Sequence, residues 1–140
     1  MRFPVAILVS AVAFVVATPA LSAADGTEPR PTATLTCLHA AEPGRVRCEI
    51  EARPPAGGAI LKWADAVLVS APAFVTLLRA RAAPADATTH EDTVWRWAIA
   101  LAARSRGSGD VVARVRMVSC VHEACVPSEV TVRANLVVGD

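Results

Sequence analysis

Two stretches of this 140-residue chain alternate so strictly that they admit one local conformation. In residues 45–52, Val46, Cys48, Ile50 and Ala52 share one parity, and Arg45, Arg47, Glu49 and Glu51 share the other. In residues 128–138, Val130, Val132, Ala134, Leu136 and Val138 oppose Glu129, Thr131, Arg133 and Asn135. Successive side chains of a strand point to opposite faces, so both stretches read as antiparallel strands with one buried and one wet face.

Five further apolar stretches recur at similar spacing, over residues 31–38, 60–69, 74–81, 93–103 and 111–120. Turn signals separate them: Glu42-Pro43-Gly44, Pro54-Pro55-Ala56-Gly57-Gly58, Pro84-Ala85-Asp86 and Arg106-Gly107-Ser108-Gly109-Asp110. Asp92-Thr93 has the chemistry of a helix cap, but Trp95, Trp97, Ile99 and Leu101 fit a period of two, and the stretch reads as a strand. Seven short strands punctuated in this way specify an all-β fold, an immunoglobulin-like antiparallel β-sandwich. Trp63, Trp95 and Trp97 lie in apolar strands and are expected in its core.

The first 24 residues stand apart, with 18 apolar side chains among them. Arg2 precedes an apolar run from Phe3 to Ala17, and Leu21-Ser22-Ala23-Ala24 offers small residues for cleavage, the three-part form of a secretory signal peptide. The run is short for a membrane anchor. The expected organisation is therefore a signal peptide over 1–24, a flexible leader over 25–30 and one β-sandwich domain over 31–140, with periplasmic or secreted localisation and no membrane span in the mature chain. Without Arg2 the chain balances thirteen basic against thirteen acidic residues. A neutral surface gives no reason to expect nucleic acid as a partner.

Four cysteines in an exported chain read as two disulfides, with three possible pairings. Cys37 and Cys48 fall on consecutive strands, and a hairpin turning at Glu42-Pro43 sets them opposite each other on the inward parity, as a structural disulfide of about 2–3 kcal/mol in the chain-entropy model. Cys120 and Cys125 would then close a small, accessible loop at a hairpin tip, where His122 can favour a neighbouring thiolate and Glu123 opposes it. The alternative pairing joins Cys48 to Cys120 across the sheets beside Trp63, as in immunoglobulin domains. Against it, Cys120 shares parity with Arg114 and Arg116, and no Tyr is present for a tyrosine corner.

The run Met117-Val-Ser-Cys120-Val-His-Glu-Ala-Cys125-Val-Pro127, followed by an alternating last strand, resembles the end of the N-terminal periplasmic domain of DsbD-type thiol–disulfide reductases. The resemblance covers about twenty residues. It implies an immunoglobulin-like sandwich in which Cys120 and Cys125 are a catalytic redox pair on a hairpin. His122 would tune the thiol, and a thioredoxin-like periplasmic protein would be the partner. The chain departs from that family in having Met117 where Tyr is usual, in lacking the family's Trp-His-x-Tyr stretch around Trp63, and in carrying the extra Cys37/Cys48 pair.

The remaining chemistry is sparse. Cys120, His122 and Cys125 with Met117 would suit a soft ion only when reduced, so no metal and no cofactor is expected. His39 and His90 are expected to be solvated, and Arg45, Arg47, Arg114 and Arg116 to form wet strand faces beside Glu49 and Glu51. There is no Gly-x-Ser-x-Gly, phosphate-cradling loop or zinc-peptidase helix. Two functions follow: a thiol–disulfide exchange module using Cys120 and Cys125, or a non-enzymatic sandwich binding another envelope protein, with both disulfides structural.

Overall fold

In the computed structural model, the structure describes Gly26 and residues 28–140, and the expected signal peptide lies outside the described residues. The strands are β1 (Thr32–Cys37), β2 (Gly44–Arg53), β3 (Ile60–Ser70), β4 (Val75–Leu77), β5 (Arg81–Ala82), β6 (Thr89–Glu91), β7 (Val94–Ala103), β8 (Gly107–Val121) and β9 (Ala124–Val138). One sheet has the order β1-β2-β7-β4, with β6 also paired to β7, and the other has the order β5-β3-β8-β9. All strand pairs are antiparallel. Two antiparallel sheets in this arrangement make an immunoglobulin-like β-sandwich.

The two layers complement each other in size. The first sheet buries Trp95, Trp97, Ile99 and Leu101 of β7 beside Val46, Cys48 and Ile50 of β2. The second contributes small side chains to the same cluster, Ala64 and Ala66 of β3 and Ala113 of β8, beside Val111, Val115 and Met117. Large residues set against small ones let a thin sandwich fill at the density of a protein interior. Residues 93–103 are indeed strand rather than helix, because the alternating Trp, Ile and Leu residues have a facing sheet to bury them.

Four sequence expectations change. The single strand expected over residues 74–81 is split: β4 adds to β7 of one sheet, the chain crosses at Leu78–Ala80, and β5 adds to β3 of the other. The Gly107–Asp110 segment, expected as a turn, is the first part of β8, paired with Val138 through Asn135. Its glycines serve close approach rather than turning: a Cβ on Gly107 would lie 2.9 Å from the Phe74 ring, and one on Gly109 would lie 2.8 Å from Pro72. Trp63 is only half-buried on the outer face of its sheet. A bulge between Leu61 and Trp63 shifts the register there, so Leu61 and Ala64 point inward and Trp63 outward. Finally, His39 and His90 are exposed but not merely solvated: His39 Nε2 lies 2.6 Å from the Gly139 carbonyl, and the His90 ring lies against that of Trp95, tilted by 55° with centroids 3.8 Å apart.

Candidate functional site: the disulfide hairpin tip and the outer face of its sheet

The β8–β9 hairpin keeps one register from Gly107↔Val138 to Val121↔Ala124 and turns on His122-Glu123. His122 has a φ of 53°, the left-handed conformation that a two-residue hairpin turn demands of its first central residue. One pair before the turn, Cys120 and Cys125 are directly opposite and bonded, with Cα atoms 4.0 Å apart. Cys37 and Cys48 are also directly opposite and bonded at the same Cα separation, as the hairpin geometry of the sequence requires. Neither described sheet is joined to the other by a disulfide, and no cysteine is free.

The tip disulfide is less accessible than its position at a loop end implies. Cys125 is exposed, but only 1% of Cys120 is, because Cys120 lies between Cys125 on β9 and Ile60, the first residue of β3. An attacking thiolate therefore meets the Cys125 sulfur, and Cys120 must depart as the thiolate. Burial among apolar neighbours disfavours that thiolate, and a poor leaving thiol slows exchange.

The close Cα spacing marks Cys120↔Cys125 as a non-hydrogen-bonded pair, so the backbone N–H and C=O of Cys125 point away from β8. The same holds at every second residue of β9, including Pro127. Proline at this position forfeits no ladder hydrogen bond, which explains how a Cys-x-Pro run continues a strand.

On the inner side the hairpin tip forms the floor of a cleft of about 400 Å³. Val121, Ala124 and Val126 line the floor with Ser119 and Ser128; Pro55, Ala56 and Ala59 form one wall, and Glu28–Pro31 the other. Val126 is 62% exposed, and the Ser128 Oγ is buried without a hydrogen-bond partner among the described residues.

On the outer side lies a feature the sequence reading did not single out. Asp65 is fully buried in the middle of β3. Its carboxylate accepts hydrogen bonds from Arg116 Nε at 2.8 Å, from Arg116 Nη2, and from Arg81 Nε at 2.9 Å. Burial pushes this carboxyl up, but the bonds from Arg116 and Arg81 outweigh it and hold the pKa below the usual Asp value. The Arg116 guanidinium also sits 5.8 Å from the Trp63 ring centroid, within cation–π range. Arg116 is therefore not part of a merely wet face. The available signal was a single acid inside the apolar run Ile60-Leu61-Lys62-Trp63-Ala64-Asp65-Ala66-Val67.

Among the described residues no group of three or more His, Cys, Asp or Glu side chains converges as a metal site. No described helix is long and apolar enough to cross a membrane.

Fold and cysteine bonds together define an immunoglobulin-like sandwich carrying two cross-strand disulfides. No family model matches the chain, and no curated protein matches it. Among solved structures it is similar to BslA, described as a bacterial hydrophobin, at 14% identity and a TM-score of 0.40, over 82% of this chain and 99% of that one. It is also similar to the PapD-like domain 7 of human CEP192, at 12% identity and a TM-score of 0.38, over 95% of each chain.

Proposed function

We propose that this chain is an exported, non-enzymatic β-sandwich binding module of the cell envelope in which both disulfides are structural. The observation that carries the reading is the burial of Cys120 inside its own pair, set against the exposure of Cys125. Each bond joins residues already opposed by strand register, so it locks a pairing that the backbone has made. Two disulfides suit an oxidising compartment, periplasmic or extracellular. The cleft under the hairpin tip, mainly apolar with two serine hydroxyls and with Glu28 and Arg30 on one wall, is the concave surface such a module offers a partner protein.

The competing reading is the exchange module implied by the resemblance to the DsbD N-terminal domain, with Cys125 attacked first. A redox titration with alkylation and mass spectrometry separates the two. A Cys120–Cys125 potential below about −300 mV supports the structural reading, and one above about −250 mV, in the range of disulfide-handling proteins, supports exchange with a thioredoxin-like partner.

A further inference from the structure

The crossing of the chain at residues 78–80 leaves a break in the edge of the first sheet. β4 pairs with residues 101–103 of β7 and β6 with residues 94–96, so residues 97–100 have no strand beside them on that side. Bonds at the two ends of the break fix the direction of the main chain within it. Thr88 N–H donates to the Arg96 carbonyl at 2.8 Å, and Arg104 N–H donates to the Phe74 carbonyl at 2.8 Å. Even-numbered residues of β7 therefore point their backbone groups away from β2, because both groups of an antiparallel residue face the same neighbour. Ala98 has this parity and is exposed, and among the described residues no main-chain group bonds its N–H or C=O from that side.

The outer face over the break is short of acid. Ala98, Ala100 and Ala102 leave β7 nearly flat there, and their register partners on β2 are Glu49, Arg47 and Arg45. Two adjoining hollows of about 360 Å³ each open above these alanines, and Arg45 lines both. Arg47 lines one, and the exposed Leu78 lines the other with Arg79 and Asp86, from the side of β7 away from β2. Arg45 thus reaches across the alanine floor to the broken edge. Asp86 is engaged, accepting from Ala83 N–H at 2.9 Å and pairing with Arg79 at 2.6 Å. Among the described residues no carboxylate lies within ion-pair distance of Arg45 or Arg47. Glu49, the next residue along the outer face of β2, lines neither hollow.

We propose that this break receives a carboxylate side chain from an extended acidic segment of a partner protein. The carboxylate accepts from Ala98 N–H and from the Arg45 guanidinium in the hollow at the edge. A second acid, further along the segment, meets Arg47 above Ala100. Three arginines against one engaged acid fix the sign of the occupant, and charge-assisted bonds to a carboxylate are the strong ones. The unpaired N–H beside a guanidinium adds direction, since it selects an acceptor at one place on the edge. Alanines set the shape: they let a chain lie close to the sheet, where larger side chains on β7 would hold it off. The segment crosses the face rather than adding a strand, because Leu78 and Thr88 close the break at either end. This surface lies on the other sheet from the disulfide tip, so it holds whether or not the cleft there binds a partner.

The test uses the isotope-labelled chain with both disulfides intact, in low salt, followed by NMR. Two octapeptides serve as probes, one alternating Glu with Thr and the other alternating Lys with Thr. The Glu–Thr peptide is expected to shift the amide resonances of Ala98 and Ala100, to slow exchange of the Ala98 amide proton, and to lose affinity with added salt. Arg45→Gln combined with Arg47→Gln should weaken it by roughly tenfold or more, while circular dichroism stays that of the wild type. Reversing both charges, as Arg45→Glu with Arg47→Glu, should transfer the binding to the Lys–Thr peptide. A Glu–Thr peptide that leaves Ala98 unmoved at millimolar concentration, or shifts that the Arg45/Arg47 variants keep, would overturn the proposal. Equal shifts from sodium glutamate would make the break a site for small anions. Capture of phosphatidylglycerol vesicles in preference to the peptide would make the face a membrane contact, and either result excludes the acidic partner segment.

Discussion

Asp65 and Arg116 face each other across β3 and β8, and the guanidinium grips both oxygens of a carboxylate that has no exposure to solvent. Arg81 reaches the same carboxylate from β5. This triad ties the short edge strand, the central strand and the long hairpin together on the outer face, where no apolar core can do so. A buried carboxylate left without its partners is costly, and so are two guanidinium groups left facing a void.

Replacing Asp65 therefore has a large effect for an outer-face residue. Asp65→Ala is expected to cost about 3 kcal/mol, near the low end for breaking a buried ion pair, because Arg81 and Arg116 remain half-exposed. Urea unfolding of both proteins measures it. A loss under about 0.5 kcal/mol, typical of a surface substitution, would show that the triad does not brace the sheet.

The same group sets an acid limit. Since its folded pKa lies below the unfolded value, its contribution is complete above pH about 4 and disappears as the pH falls through the folded pKa. The melting temperature of wild type and Asp65→Asn should differ at pH 6 and converge toward pH 2. A constant gap across that range would place the stabilisation elsewhere.

Trp95 and Trp97 are neighbours on one face of β7, yet their indoles are not equivalent. Trp97 Nε1 donates to the Ala83 carbonyl at 3.0 Å, whereas the buried Trp95 Nε1 has no acceptor among the described residues. Trp97→Phe removes a hydrogen bond, leaving the Ala83 carbonyl only its bond from the Asp86 N–H, and Trp95→Phe removes an unsatisfied donor. The first is expected to cost at least about 1 kcal/mol more than the second by thermal unfolding. Equal costs would mean that ring volume alone decides.

His122 occupies its turn at a positive φ that favours glycine. His122→Gly should raise stability by about 0.5 kcal/mol, the relief of backbone strain exceeding the added freedom of the unfolded chain. If both disulfides are braces, the reduction potential of Cys120–Cys125 stays unchanged in this variant. A shift of about 30 mV or more, a tenfold change in the equilibrium, would return His122 to a role in thiol chemistry.

Gly109→Ala tests the packing of the long hairpin against the loop before β4. The added methyl would fall within contact distance of the rigid Pro72 ring, and the expected cost is about 1–3 kcal/mol. Gly44→Ala is no steric control, because Gly44 meets open space but holds a φ of 136°.

Local alternation was enough to place β2, β7 and the last half of β9, because a period of two has one conformational solution when one face is apolar. The Cys37–Cys48 bond was equally legible, since a short hairpin fixes its own register. Beyond such local rules the sequence was silent. Trp63 faces outward because one extra residue at the β3 bulge reverses the parity of everything after it, and nothing in the local composition marks that insertion. The split of residues 74–81 between two sheets depends on which edge each half meets. Burial of Cys120 depends on where β3 begins, and burial of Asp65 on two arginines 16 and 51 residues away. Side-chain periodicity is a property of consecutive residues and is written in the chain. Register shifts, sheet edges and ion partners arise only when distant strands meet, and the tertiary structure alone decides them.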